Sequence, residues 1–117
     1  LTTFHLMCEF KTLHLDDKLG YVLQCIQCKH ITIGFGILVF SRSLQEFYKL
    51  VQDTHSCYAH HVALGIDPKV RTIPFLQLSE QSCLTVSLND LYYLGELLDF
   101  AVAKLQLEKM ISTLPNN

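Results

Sequence analysis

The stretch YVLQCIQCKHITIGFGILVFSRSLQEFYKLV, residues 21–51, decides the fold. Within it Ile31, Ile33, Phe35, Ile37 and Val39 alternate with Thr32, Gly34, Gly36 and Leu38, a period of two that sends successive side chains to opposite faces of a β-strand. One face is apolar and the other nearly bare. Tyr21 to Ile26 is a second β-favourable run, so the two predict a hairpin with Cys25-Ile26-Gln27-Cys28 at its tip. Downstream the period changes. Ser43 stands three residues before Glu46 in a capping-box arrangement, and Leu44, Phe47, Tyr48 and Val51 fall on one helical face, which predicts a helix closing near Asp53.

Working outward, residues 54–69 lose the pattern and hold His55, Cys57, His60, His61, Gly65 and the turn-forming Asp67-Pro68, which reads as a loop. Val70 to Leu78 is extended but interrupted by Pro74, the mark of an edge strand or a bulge. A turn at 79–82 leads to the alternating Leu84, Val86 and Leu88. A helix then runs from a cap at Asn89 or Asp90 to about Lys109. Toward the N-terminus, Asp16-Asp17 with Gly20 makes a turn, and Phe4, Leu6, Phe10, Leu13 and Leu15 add one or two strands. The halves overlay when Val39 is set on Val86, Leu44 on Leu91, Phe47 on Leu94, Leu50 on Leu97 and Val51 on Leu98, so each is a candidate β-β-α unit. The expectation is an α+β fold: one domain over residues 1–117, an antiparallel sheet of about four to six strands, and two helices on one face.

Composition narrows the function classes. The 117 residues are 50% hydrophobic and only 17% charged, with mean hydropathy +0.26, so the chain carries more apolar surface than one small core hides. Nine Lys and Arg against eleven Asp and Glu give no footprint for nucleic acid or anionic lipid. The most membrane-like stretch, 19–41, is interrupted by Gln24, Gln27, Lys29, His30 and three glycines, too often for a span. The first residues show no n-region, h-region and cleavage-site pattern, and the sequence starts at Leu1 without a Met, which leaves a removed leader open. Five cysteines, an odd number without a disulfide framework, point to reduced thiols in a cytoplasm.

The excess apolar surface has a place. At 3.6 residues per turn Leu91, Leu94, Leu98, Ala101, Val102 and Leu105 make one core-facing stripe of the last helix, and Tyr93, Phe100 and Leu107, with Ile111 beyond, make a second. A second stripe needs a second surface: a homodimer seam, or cover from the N-terminal segment.

Cys25 and Cys28 are the most chemically specific pair, because two thiolates at this spacing on a tight turn can face one tetrahedral ion. They are half a site. The central segment offers His55, Cys57, His60 and His61 as the other half, with Cys8 and His5 as alternatives, and the cofactor expected there is structural zinc. The competing class is a thiol enzyme. Dithiol redox chemistry would use Cys25 and Cys28 but calls for a helix opening at the pair, where a strand is predicted; a hydrolase would use Cys57 with His60 or His61. Phosphate loops, Gly-x-Ser-x-Gly and His-Glu-x-x-His are absent, and no small-molecule ligand is indicated.

The Cys-x-x-Cys at 25–28, the run Ile31 to Gly36, and Ser87-Leu88-Asn89-Asp90-Leu91 leading into the leucine-rich helix together resemble a family of short, uncharacterised bacterial proteins. The likeness covers most of residues 20–107. It implies the Cys-x-x-Cys hairpin and the order of strands and helices, and no activity. Lys29 stands where zinc knuckles often place Gly, a departure that bears on the turn after Cys28.

Overall fold

The computed structural model describes residues 9–115. The elements are β1 (Phe10–Asp16), β2 (Gly20–Cys25), β3 (Ile31–Phe35), β4 (Leu38–Arg42), α1 (Leu44–Ala63), β5 (Ile73–Ser79), β6 (Ser82–Val86) and α2 (Leu88–Ser112). The fold is α+β, as expected: β1 to β4 form an antiparallel meander in sequence order, and β5 and β6 form a separate two-stranded sheet. Strands predicted at Phe4 and Leu6 fall outside the described residues.

The alternating run 31–39 is not one strand. Gly36 adopts φ 62 and, with Ile37, makes a two-residue hairpin loop between the paired Phe35 and Leu38. Ile37 is thereby left wholly exposed at the tip, and Val39 sits on the face opposite to the one that strict alternation assigned it. Paired across the sheet, Val22, Ile33 and Phe40 share one face, and this face meets the helices. There Val22, Ile31, Ile33, Phe47, Leu97, Leu98 and Ala101 are sealed from solvent, each large side chain contributing about 1.5–3 kcal/mol of burial. On the other face the ring of Tyr21 covers Gly34, its cross-strand partner, and Thr32 bonds Ser41 at 3.1 Å.

The first helix also departs from expectation: it continues ten residues past Asp53 to Ala63, so residues 54–63 are helical and only 64–72 connect to β5. Beyond Thr54, which is buried with its hydroxyl donating to the Leu50 carbonyl at 2.7 Å, the helix meets the core with few apolar groups, which is why its period fades. Phe47 and Leu50 face inward, whereas Tyr48 is exposed. β5 starts at Ile73 rather than Val70, and its ladder shifts between Pro74 and Leu76, the bulge that a missing N–H predicts. α2 starts two to three residues earlier than expected, with Ser87 as its cap, and runs to Ser112.

These caps set the relation between the halves. Ser43 and Ser87 stand 44 residues apart, and that offset also carries β4 onto β6 and the turn 36–37 onto 80–81. Phe47, Leu50 and Thr54 then match Leu91, Leu94 and Leu98, all buried. The register that sets Val39 on Val86 is therefore three residues out, nearly one helical turn, which preserved the apolar pattern while missing the caps.

At each cap the serine hydroxyl accepts from the N3 amide, and the N3 carboxylate accepts from the serine amide: Ser43 with Glu46 at 3.1 and 2.9 Å, Ser87 with Asp90 at 3.0 and 2.9 Å. Arg71 adds two bonds to Asp90, at 2.8 and 3.3 Å. The guanidinium, together with the Ser87 cap, holds the Asp90 carboxyl below its ordinary value. Cap bonds from Ser43 do the same for Glu46, and the amides of Leu19 and Lys18 for Asp16. A depressed carboxyl supplies stability above its unfolded value and loses it as pH falls through the folded one. The melting temperature is therefore expected to drop below about pH 4, less steeply in Asp90→Asn; equal slopes in a pH series of thermal melts would refute the assignment.

Two glycines should respond very differently. Gly20 has φ 148 beside the β3 backbone, and a Cβ there would overlap the Gly34 carbonyl; at Gly36 a Cβ meets open space and only the φ of 62 is strained. Gly20→Ala is expected to cost about 3 kcal/mol and Gly36→Ala about 1 kcal/mol, read by urea unfolding.

Candidate functional site

The Cys-x-x-Cys lies at the tip of the β2–β3 hairpin, with Cys25 as the last residue of β2. The Cys25 amide donates to the His30 carbonyl at 2.9 Å, and the Lys29 amide donates to the Cys25 carbonyl at 3.0 Å, closing the turn. Gln24, buried, donates its side-chain amide to the Lys29 carbonyl at 3.1 Å. Within this ring the Cys28 amide points at the Cys25 sulphur, N to Sγ 3.3 Å. Cys25 is buried and Cys28 exposed. Lys29 adopts φ 68, the described non-glycine residue in the left-handed region, so the turn that sequence would give to Gly is made by Lys. The side-chain oxygen of Gln27 lies 3.5 Å from the Cys25 sulphur and accepts from the Glu9 amide at 3.0 Å, fastening the start of β1 to the turn. The sequence offers no signal for this role of Gln27.

The histidine-rich segment is helix rather than loop. Cys57 and His61 are one turn apart on α1, with Sγ to Nδ1 at 3.6 Å, but that same Nδ1 is 2.8 Å from the Cys57 carbonyl. A carbonyl only accepts, so Nδ1 carries the proton there and is no base toward the thiol. Burial, and secondarily Asp53, pushes the Cys57 thiol up, away from the thiolate that a nucleophile or a metal needs. Cys57 instead packs beside Ile73, Val86, Leu88 and Leu91, in the core under the β5–β6 sheet. His60 is exposed and edge-on to His61. His55 bonds Asp99 of α2 at 2.8 Å, a link between the helices across the gap left by Gly95. Among the described residues no three His, Cys, Asp or Glu side chains converge to hold a metal ion, so Cys25 and Cys28 are not joined there by His55, Cys57, His60 and His61. Cys8 and His5 lie outside the described residues. No helix opens at Cys25, so no helix N-terminus stabilises a reactive thiolate there.

The second candidate surface is the outer face of α2. Tyr93, Phe100, Leu107 and Ile111 are all exposed, from 45% to 58%. Phe100 stacks on His14 of β1 with centroids 4.5 Å apart and planes 11° off parallel. Beside that stack a cleft of about 350 Å³ is lined by His14, Asp16, Lys18, Tyr93 and Glu96. No described helix is long and apolar enough to cross a membrane. The chain matches no family model, no curated protein and no solved structure.

The strain at Lys29 is measurable. Lys29→Gly is expected to stabilise by up to about 1 kcal/mol, and Lys29→Val, β-branched at positive φ, to destabilise by about 1–2 kcal/mol. The same sign for both in chemical denaturation would contradict the left-handed turn.

Proposed function

We propose that the chain is a small cytoplasmic interaction module that works as a homodimer, with the outer face of α2 as its seam. The observation that carries this reading is the exposure of Tyr93, Phe100 and Leu107 at seven-residue spacing, with Ile111 beside them. Water gains nothing from holding such a stripe in contact, and a second copy of the same helix covers it with matching periodicity. The charges favour an antiparallel crossing. Glu96 lies in the first half of α2 and Lys104 in the second, both flanking the stripe, and among the described residues Lys104 forms no ion pair. A two-fold axis across the helix sets acid against base at both ends. An odd cysteine count without a disulfide pattern supports the reducing compartment.

Light scattering at micromolar concentration is expected to give twice the 13.4 kDa chain mass. Leu107→Glu should shift the population to monomer by tenfold or more in Kd while leaving the far-UV spectrum unchanged. A wild-type monomer at 100 μM would overturn the reading.

A further inference from the structure

We infer that the gap between α1 and α2 at Gly95 is a binding site for the head group of a small organic ammonium ion. Tyr92, Gly95, Glu96 and Asp99 stand at i, i+3, i+4 and i+7 of α2 and so share one flank of that helix, while His55 and Tyr58, three residues apart on α1, approach it from the other side. Together they border a cavity of about 200 Å³. Glycine weakens the middle of a helix, and here its missing Cβ opens the floor, since a methyl group at 95 would stand 3.3 Å from the His55 ring.

The walls decide the charge of the guest. Tyr58 and Tyr92 have ring centroids 6.1 Å apart and planes 47° off parallel, so the rings are not stacked on each other. A guest in the gap they share lies within the roughly 6 Å over which a ring face attracts a cation. Asp99 takes one bond, from His55 Nε2 to Oδ1 at 2.8 Å, and among the described residues its Oδ2 has no partner. Glu96 accepts from the Tyr92 phenol and pushes its pKa up, which holds the ring and registers the negative field around it. No lysine or arginine borders the gap, so neither carboxylate meets a fixed cation there.

Size and donor set narrow the ligand further. The cavity is smaller than the roughly 300–1,000 Å³ of pockets that enclose a whole small molecule, so it takes a head group and leaves the rest in solvent. Among the described residues no three His, Cys, Asp or Glu converge as a metal ion requires. A diffuse organic cation needs no such convergence, because ring faces and carboxylates at its rim attract it without coordination. The gap opens beside the stripe of Tyr93, Phe100 and Leu107, not on it, so the inference does not rest on the homodimer.

Choline and its uncharged analogue, with carbon in place of the nitrogen, separate charge from shape. Each is titrated into isotope-labelled protein while the Gly95 and Tyr58 amides are followed by NMR. Choline is expected to give saturable shifts at millimolar concentration and to bind at least tenfold more tightly than the analogue. Asp99→Asn keeps an acceptor for His55 and removes the charge, and Tyr92→Leu removes one ring at a half-exposed position; each should weaken choline about threefold or more, with circular dichroism unchanged. Leu107→Glu, which breaks the proposed seam, should bind choline as the wild type does. Equal affinity for choline and the analogue, no saturation at millimolar concentration, wild-type affinity in Asp99→Asn, or lost binding in Leu107→Glu would each overturn the inference.

Discussion

The packing of one face of α2 is the interaction on which the rest of the molecule depends. Leu94, Leu97, Leu98 and Ala101 fill the space over Val22, Ile31 and Ile33 of the meander, while Leu88 and Leu91, one turn earlier, join Ile73 and Val86 of the second sheet. The two sheets share no ladder. They belong to one structure because the same helix closes both cores, with Phe75 touching each. A helix committed to two cores on its inner side has little freedom to tilt, so whatever its outer side presents is presented in a fixed place.

That constraint explains the contrast between the two helices. α1 is amphipathic in the ordinary way for its first three turns and then runs on, supported by its backbone bonds and by contact with α2, notably His55 to Asp99. α2 is apolar on two sides: the inner one is buried in the two cores, and the outer one stays exposed apart from the stack of Phe100 on His14. Serine caps with an acidic residue at N3 start both helices, and each helix follows a hairpin whose turn lies at the same distance before the cap.

Much of this was legible in the residues, for physical reasons that can be separated. The β2–β3 hairpin, the cap at Ser43, the bulge at Pro74 and the exposed second stripe each rest on a local rule: alternation, capping chemistry, a missing N–H, a 3.6-residue period. What escaped lay where a rule is silent or two rules compete. Alternation ran straight through Gly36-Ile37 because residues on both sides of the turn are apolar, and nothing but the left-handed glycine marks the reversal. The end of α1 was invisible because beyond Thr54 its core contacts come from Cys57 and Tyr58, a thiol and a phenol that do not stand out as an apolar period. His55, Cys57, His60 and His61 were therefore read as a flexible ligand cluster, when helical geometry fans them around an axis and ties Cys57 into a core. At the hairpin tip the opposite happened. Lys29 argued against a tight turn by its identity, and the turn formed regardless.

The ion pair of Lys11 with Glu108, 2.8 Å long, joins the first described strand to the last described helix, and His14 on Phe100 repeats that junction about two turns earlier. During synthesis this has a definite meaning. The meander can pair as soon as its four strands emerge, and α1 then brings Phe47 and Leu50 to its apolar face, yet the rest of that face stays wet until residues 88–112 have left the ribosome, more than half the chain later. Folding is gated by the final helix, and for that interval the nascent sheet is the species most open to capture by a chaperone or by a neighbouring chain.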